Sequence, residues 1–273
     1  MKIVSKGRVL NSAEFYKKKQ RRKYVYISLL LIGCLLFISF LVYISRLGRF
    51  QITEVVVSGE NIIDRDLIIS AVKRSLSGHY LWLIPKSNVL LYPKDATIDN
   101  LFKEFPRFKS VGLDLNGLNI ITVTVEERTP FALYCINAPE CYFLDEDGLI
   151  FAIAPSFSGA VYFIYTTEEP LENPMGKSLL VSDQFRALSK FIESLTPFGV
   201  HPIALGISNE DYSLILSGDR QIMWRRDSDF ARVHSNLEAF LSDDTIRAQP
   251  DFLERILYID LRTEDKVRWK FKD

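Results

Sequence analysis

A continuous run of apolar residues lies near the start of the chain. It extends from Val25 to Ile44, reads VYISLLLIGCLLFISFLVYI and contains no charged side chain. These 20 residues, rising about 1.5 Å each in a helix, match the roughly 30 Å hydrocarbon core of a bilayer. The segment ISRLGRF follows instead of a small-x-small cleavage site, so the pattern favours a retained membrane-spanning helix over a secretory signal.

After this run, hydrophobic residues first alternate and then recur at helical spacing. The alternation in ITEVVVSGE predicts a strand that ends at the turn Ser58-Gly59. Asp64 is a candidate N-cap for a first helix, and Gly78 is a candidate stop signal. The apolar stripe of that helix comprises Leu67, Ile68, Ala71, Val72 and Leu76.

A second helix and a hairpin complete this region. The helix is predicted from about Thr97 to Pro106, because apolar residues recur there at helical spacing. These residues are Ile98, Leu101, Phe102 and Phe105. The strands SVGLDL and NIITVTVEER follow, joined around Asn116-Gly117, a residue pair that strongly favours a tight hairpin. Residues 50–128 are therefore expected to form a β-α-α-β-β module with two helices packed on a three-stranded sheet.

Residues 129–273 alternate short strands with two helices. Strands are expected in FALYC, CYFLD, AVYFIYTTEE, IALGIS, YSLILSGDRQIMW, RILYIDLR and KVRWKF. Ser182 is the candidate N-cap of the first helix, and Asp227 or Ser228 that of the second. The inward-facing residues are Phe185, Leu188, Ser189, Ile192 and Leu195 in the first helix, and Phe230, Val233, Leu237, Phe240 and Leu241 in the second. The pattern predicts a second α+β domain with a mainly antiparallel sheet.

Charge is unevenly distributed, although the chain has 34 basic and 34 acidic residues. The first 49 residues hold 11 Lys or Arg and a single acid, Glu14, so 23 basic and 33 acidic residues remain beyond them. The run KKKQRRK precedes the apolar segment and only Arg46 and Arg49 follow it closely, so the positive-inside rule places the N-terminus in the cytoplasm. The part of the chain after residue 49 therefore has a net negative charge, which excludes nucleic acid as a partner.

Together these patterns predict four regions. They are a cytoplasmic basic tail (1–24), a transmembrane helix (25–44), a first extracytoplasmic module (50–128) and a second extracytoplasmic domain (129–273). The tether between the helix and the first module, Ser45 to Arg49, is short and has little reach. The first module is therefore expected to stay close to the membrane surface.

The three cysteines agree with this placement. Cys34 lies inside the apolar run as a small apolar filler. Cys135 and Cys141 flank the turn INAPE between two strand-like segments and, outside the cytoplasm, are expected to pair as a disulfide. Two buried thiols are the alternative. A metal site is less favoured, because His79, His201 and His234 are far apart in sequence and lack ligand spacing.

Known catalytic motifs are missing from the sequence. It contains no glycine-rich phosphate loop, no HExxH and no Gly-x-Ser-x-Gly elbow. Asp145, Glu146 and Asp147 precede Gly148 and are interpreted as turn-forming residues rather than as paired catalytic acids. The chain is accordingly expected to be non-catalytic and to need no cofactor.

Several motifs resemble one bacterial family. The β-α-α-β-β order after a single span, with VVVSGENII, EFPRFKSVGLDL and TVEERTPFA, resembles a POTRA domain, and specifically that of the FtsQ/DivIB division proteins. FLDEDGLIF resembles the Asp-x-x-Gly-x-x-Phe hairpin of that family, and LYIDLRTEDKVRWKF resembles its near-terminal Tyr-x-Asp-Leu-Arg strand and final strand. The chain departs from the family in FAIAPSFSG, which lacks the Leu-Pro pair often found after the hairpin.

The resemblance implies a role in cell division. A family member would be a single-pass protein of the inner membrane at the division septum, recruiting the bitopic proteins FtsB and FtsL, or DivIC. It would help to control septal peptidoglycan synthesis, with the synthase as a further candidate partner. The alternative is a cell-envelope enzyme or sensor with a site between the two extracytoplasmic domains.

The last strand, KVRWKF, is the candidate binding element. An edge strand can pair with a partner segment through its backbone, and aromatic and Arg side chains often dominate interface energies. Trp269 and Phe271 are expected to be apolar anchors, although Trp269 could instead belong to the core, and Asp260 and Arg262 could instead stabilise the hairpin. The candidate partner-binding residues are Tyr258, Arg262, Val267, Arg268, Trp269, Lys270 and Phe271.

Overall fold

The structure, a computed structural model, describes residues 12–137, 139–159, 161–249, 251–264 and 266–272. The α-helices are α1 (Ser12–Ser45), α2 (Arg65–Ser75), α3 (Lys94–Glu104), α4 (Ser182–Glu193), α5 (Phe230–Ser242), α6 (Asp244–Arg247) and α7 (Phe252–Arg255). The first strands are β1 (Glu54–Ser58), β2 (His79–Tyr80), β3 (Ile84–Pro85), β4 (Phe108–Asn116), β5 (Ile120–Glu127), β6 (Ala132–Asn137) and β7 (Glu140–Leu144). The later strands are β8 (Ile150–Ile153), β9 (Ile164–Thr167), β10 (Pro202–Ile207), β11 (Asp211–Leu216), β12 (Arg220–Arg225), β13 (Ile256–Thr263) and β14 (Lys266–Phe271).

Two compact units make up the chain. The first holds the described residues up to Asn100 together with Gly112–Thr124, and the second holds Leu101–Val111 and the described residues from Val125 onward. Helices and mixed sheets occur together, so the α+β class is confirmed.

Helix α1 contains the predicted apolar segment. The helix is 34 residues long, and its part from Lys17 to Ser45 is long and apolar enough to cross a membrane by length and composition. The basic run Lys17 to Lys23 continues the same helix N-terminally. Residues 1–11 of the predicted tail lie outside the described residues.

A three-stranded sheet in the order β1-β5-β4 follows the helix. Strands β1 and β5 are parallel, with Val55 opposite Ile121 and Val57 opposite Val123, and these four side chains are buried. The prediction of Asp64 as N-cap is confirmed, because its carboxylate accepts the backbone N–H of Asp66 at 2.8 Å. Register and capping thus follow the local sequence pattern.

The helix stripes in this region differ slightly from the predicted ones. Ile68, Ala71, Val72 and Leu76 are buried as expected, whereas Leu67 at the margin of the stripe is 57% exposed. Helix α3 begins at Lys94, before the predicted Thr97, whose hydroxyl instead donates to the Pro93 carbonyl at 2.7 Å. The helix ends before Pro106, as predicted, because proline cannot continue its hydrogen bonds.

A small hairpin between α2 and α3 escaped the sequence prediction. Strands β2 and β3 pair antiparallel, with Tyr80 opposite Ile84. Leu81 and Trp82 at the turn have positive φ angles of 46° and 66°. The turn lacks the Gly or Asn residues that normally mark such conformations, and therefore left no recognisable signal.

The second unit is built on a nine-stranded sheet in the order β14-β13-β12-β11-β10-β9-β6-β7-β8. Its described pairings are antiparallel except for β12 with β13, β10 with β9, and β6 with β9. The sheet is thus mixed, and its described pairings are mainly antiparallel, as predicted. Parallel pairing requires long crossovers, and helix α5 with its following turns occupies the connection from β12 to β13.

Helices α4 and α5 cover the core of this unit. The predicted α4 stripe is buried. Phe191 of the same helix meets Trp224 edge-on at a centroid distance of 5.1 Å and stacks on Phe230 at 5.0 Å. Both predicted caps were wrong. Val181 is the N-cap of α4, without a side-chain hydrogen bond, because the helix already includes Ser182. Asp229 rather than Asp227 or Ser228 caps α5 and accepts the Ala231 N–H at 3.1 Å.

The predicted helix stripe of α5 points at the sheet. Val233 and Leu237 are buried, and Phe230, Phe240 and Leu241 are partly buried against the same core.

The predicted hairpin turn at Ser217-Gly218-Asp219 is confirmed by the antiparallel pairing of β11 and β12 around it. The fold of the second unit thereby positions the terminal hairpin beside α5.

Candidate functional site

The last strand, β14, lies at one edge of the nine-stranded sheet, and the prediction of an edge position is confirmed. It pairs antiparallel with β13, with Ile259 opposite Trp269 and Asp260 opposite Arg268. Its other side faces no strand among the described residues. The backbone along that side can therefore pair with an added strand.

The two faces of β14 differ in chemistry. Val267 and Phe271 are partly buried against the core, and Trp269 on the same face is 38% exposed. Arg268 and Lys270 are exposed on the other face, opposite Asp260 and Tyr258 of β13. An added strand would therefore meet apolar side chains on one face and basic side chains on the other.

Trp269 belongs to an aromatic cluster at the border of the core. Its ring centroid lies 4.8 Å from Phe271, 5.7 Å from Phe252 and 6.4 Å from Phe240. Arg255 also stacks its guanidinium over Phe271 at 4.9 Å. The contacts hold the indole in place while part of its surface stays accessible, so Trp269 is both a core-border residue and an available anchor.

An open groove runs along this face of the strand. It has a volume of about 520 Å³ and is lined by residues of β14, α5 and α6 that include Val267, Trp269, Phe240 and Ile246. Glu264 and Lys266 from the hairpin line the polar end. A strand paired with β14 would direct alternate side chains into this groove, because successive side chains of a strand point to opposite faces.

The opposite edge of the sheet is partly covered. Strand β8 receives backbone hydrogen bonds from the segment that follows β9: the N–H of Ile150 donates to Lys177, and the N–H of Gly176 donates to Ile150. Leu149 and Ser178 form an isolated bridge beside it. Strand β8 is therefore the less accessible of the two edges for strand addition.

Arg262 is engaged within the second unit. Its Nε and Nη2 donate to the Asp260 carboxylate at 2.9 and 2.8 Å, and Nη1 donates to Asp211 on β11 at 3.0 Å. The hydrogen bonds from Arg262 hold the pKa of the Asp260 carboxyl below its ordinary value. The same pairing with Asp260 raises the pKa of the guanidinium. Arg262 thus holds β13 and β11 together.

The predicted site residues are therefore brought together on one hairpin. Tyr258 and Arg262 lie on β13, and the other five lie on β14. The sequence interpretation assigned Phe240 to a core stripe and missed Phe252, which comes from the short helix α7. Its only local signal is the apolar pair Phe252-Leu253 after Pro250-Asp251, too short to predict a helix.

Cys135 and Cys141 form a disulfide. They are directly opposite each other on β6 and β7, so the bond crosses the hairpin at one register position. The turn between them includes Ala138, which lies outside the described residues. Cys34 on α1 is a free, exposed cysteine.

The acidic turn before β8 has a structural role. The Asp145 carboxylate accepts the backbone N–H groups of Asp147 and Leu149 at 3.0 and 2.8 Å and pairs with Arg128. Gly148 has a φ of +76°, and a Cβ there would lie 2.6 Å from the Phe185 ring. The interpretation of Asp145 as a turn-forming residue agrees with these contacts.

A second cleft of about 370 Å³ in the second unit is lined by Phe131, Tyr165, Ser189 and His201, among others. Burial raises the pKa of Tyr165 to about 12. Its hydroxyl lies 3.1 Å from that of Ser189. The Tyr165 phenol therefore stays protonated at neutral pH.

Metal ligands do not converge in the described part of the chain, where no group of three or more His, Cys, Asp or Glu side chains could hold an ion. His234 instead lies beside Glu238, 3.9 Å away, and edge-on to Phe198.

No protein-family model matches the chain, and no curated protein matches it. The terminal hairpin with its groove is the candidate site that the described residues form in the second unit.

Proposed function

We propose that this chain is a non-catalytic, single-span scaffold of the bacterial division machinery, of the FtsQ/DivIB type. In this proposal α1 anchors it in the inner membrane with the N-terminus in the cytoplasm, and residues 50–128 form a POTRA domain. The β1-α2-α3-β4-β5 order, interrupted only by the small β2–β3 hairpin, supports that assignment. The protein would act at the septum and help to control peptidoglycan synthesis through its partners, with the synthase as a further candidate partner.

The observation that carries the proposal is the edge position of β14 beside an open groove. In strand addition, backbone hydrogen bonds supply affinity, and pockets for alternate side chains supply specificity. Both elements are present here, since β14 offers one side of its backbone and the groove receives side chains. The free edge and Trp269 at its centre favour a peptide segment as the bound molecule over a small substrate.

The partner segment would come from a bitopic protein of the FtsB/FtsL or DivIC type. Apolar side chains would alternate along it to enter the groove next to Val267 and Trp269. Acidic side chains would suit the outer face, where Arg268 is exposed. Electrostatic complementarity of this kind contributes mainly to the association rate and to the choice of partner.

The experiment compares two variants of the edge with two matched controls in the full-length, membrane-anchored protein. Trp269→Ala removes the anchor, and Arg268→Glu reverses a charge on the exposed face without touching the core. Ile153→Ala on the opposite edge strand and Lys190→Glu on α4 make the same kinds of change elsewhere. Co-purification of bitopic division proteins and septal localisation are measured for all four.

We expect both edge variants to lose co-purified partner and the two controls to retain it. The Arg268→Glu result is informative even if Trp269→Ala weakens the fold, because the Arg268 side chain points to solvent. Wild-type recovery of partner with both edge variants would disprove the role of β14. Loss with Ile153→Ala alone would instead assign strand addition to β8.

A further inference from the structure

A cluster of exposed apolar side chains lies in the first unit, around the small hairpin. Leu81, Trp82 and Leu90 are 89%, 90% and 81% exposed, and Leu83 and Leu91 are exposed as well. We refer to these five residues as the exit patch. Scattered exposed apolar residues are ordinary, but these lie on two segments that both bond to the end of α1, and such a group with a Trp marks an interaction surface.

The backbone holds the tip of the patch in an unusual conformation. Leu81 and Trp82 both have positive φ angles, which are rare for bulky residues and carry an energetic cost. The tip is closed by the pairing of Tyr80 with Ile84 and by the hydrogen bond from the Leu83 N–H to the Tyr80 carbonyl at 3.0 Å. This conformation presents two large apolar side chains together, and neither is covered by the other described residues.

The tip is attached directly to the end of helix α1. Arg46, the first residue after the helix, donates from Nε to the Leu83 carbonyl at 3.0 Å and from Nη2 to the Trp82 carbonyl at 3.3 Å. These bonds join the exit of the apolar helix to the hairpin without an intervening flexible linker. The boundary of a membrane that encloses α1 would therefore lie beside the hairpin that carries the exit patch.

Asn88 attaches the other half of the patch to the same helix end. It is buried, and its Nδ2 donates to the carbonyl of Ser45, the last residue of α1, at 3.1 Å. Its Oδ1 accepts the N–H of Leu90 at 3.0 Å. Asn88 thereby satisfies a terminal helix carbonyl that would otherwise lack a partner and orients Leu90 and Leu91 next to it.

The chemistry of the surroundings matches a lipid headgroup region. Trp is enriched at membrane interfaces because its ring is apolar and its N–H is polar. Arg46, Arg49 and Lys86 supply positive charge close to the patch, and Lys86 stacks over Tyr80 at 5.9 Å. Basic residues beside a membrane helix attract anionic headgroups, whereas a soluble protein partner would not require this position at the helix end.

We propose that the exit patch inserts into the interfacial layer of the same bilayer that α1 spans, on the extracytoplasmic side. The first module would then be fixed to the membrane at two points, the helix and the patch, which restricts its rotation about the helix axis. The inference rests on the proposed function only in that α1 must be a membrane span in the proposed orientation. Lipid is the molecule that would cover the exit patch.

The test uses the full chain in vesicles of phosphatidylethanolamine and phosphatidylglycerol, at a high lipid-to-protein ratio. Tryptophan emission is compared in these vesicles and in vesicles whose acyl chains are brominated near the headgroup. Trp82→Phe isolates the contribution of Trp82, and Trp269→Phe is the matched control. Co-flotation with vesicles after carbonate washing reports separately whether α1 is inserted.

We expect brominated lipid to quench the emission of the native chain, Trp82→Phe to abolish that quenching, and Trp269→Phe to retain it. Leu81→Asp with Leu90→Asp should also reduce the quenching, whereas Leu118→Asp at the exposed β4–β5 turn should not. Unquenched Trp82 in a chain that still floats would overturn the patch assignment and leave the span intact. Shielding of Trp82 from aqueous iodide without quenching by brominated lipid would also overturn it, in favour of a protein occupant. A chain that no longer floats would contradict the span itself, and with it this inference.

Discussion

Arg262 donates two hydrogen bonds from its guanidinium to the carboxylate of Asp260, which lies only two positions away on β13. Both side chains lie on the sheet face away from the aromatic cluster, and Arg262 reaches on to Asp211. The arrangement links the terminal hairpin to the centre of the sheet through charge-assisted hydrogen bonds. The candidate binding strand β14 is paired with the strand that this network stabilises.

Arg262→Gln should therefore reduce the free energy of unfolding by about 1 kcal/mol at neutral pH, since the guanidinium is partly exposed. The depressed pKa of Asp260 means that its contribution is present above the unfolded carboxyl value of about 3.9 and is lost as pH falls through the folded value. The difference between wild type and variant should thus shrink below about pH 4. Denaturant unfolding across pH measures it.

Arg232→Gln is the control for this network, because its pair with Glu264 is exposed on both sides. It should change stability by less than about 0.5 kcal/mol at any pH. A difference between wild type and Arg262→Gln that stays constant down to low pH would contradict the assigned role of the Asp260 carboxylate.

The buried pair of Arg128 and Asp145 should matter more than the exposed pair of Lys109 and Glu146. Arg128→Met leaves the Asp145 carboxylate, which is 5% exposed, without its counter-charge and should cost about 3 kcal/mol. Lys109→Met removes a partner of an exposed carboxylate, which solvent screens, and should cost much less. Thermal or urea unfolding of the two variants checks the order, and equal losses would refute the argument from burial.

The disulfide should stabilise the β6–β7 hairpin by a modest amount. Replacing both Cys135 and Cys141 with Ser is expected to lower the free energy of unfolding by about 2 kcal/mol, because the bond closes a short loop. Thiol labelling of the native, unreduced protein should modify Cys34 only after the membrane is dissolved and should leave the pair unmodified. Modification of both paired cysteines without reductant would show that the bond does not form in the cell.

The orientation of α1 should depend on its basic run. A C-terminal alkaline phosphatase fusion is expected to be active and a C-terminal green fluorescent fusion dark, because the positive-inside rule retains Lys17 to Lys23 in the cytoplasm. Replacing the four Lys and two Arg of KKKQRRK by Gln should yield a mixed population. Replacing the Lys residues by Arg preserves the charge and should preserve the orientation. Fluorescence of the native fusion would reverse the proposed topology.

Part of the site was predictable because its signals are local. The alternation of KVRWKF predicted a strand in which Trp269 and Arg268 point to opposite faces, and β14 has this arrangement. The strand β14 also lies at an edge of the sheet, as predicted. The role of Arg262 remained open, because its partner Asp211 is 51 residues away in sequence.

The exit patch shows the converse case. The segment HYLWLIP, residues 79–85, predicted neither a strand nor a turn, because the turn has Leu81 and Trp82 at positive φ rather than Gly or Asn. Only the hydrogen bonds from Arg46 and Asn88 show that this segment lies at the end of α1. Contacts over 37 and 43 residues of sequence separation leave no periodic pattern to detect.

The sequence by itself determined the apolar helix, the α+β class, the Asp64 cap and the buried stripe of α4, because each depends on the periodicity or chemistry of neighbouring residues. The tertiary structure decided the strand order, the parallel pairing of β12 with β13, and the groove where Trp269 meets Phe240 and Phe252. The tertiary structure also explains why position 148 must be glycine, because the Phe185 ring of a later helix occupies the space that a Cβ would need. These features depend on which distant surfaces pack together. That packing is determined by burial of the whole core rather than by any local segment.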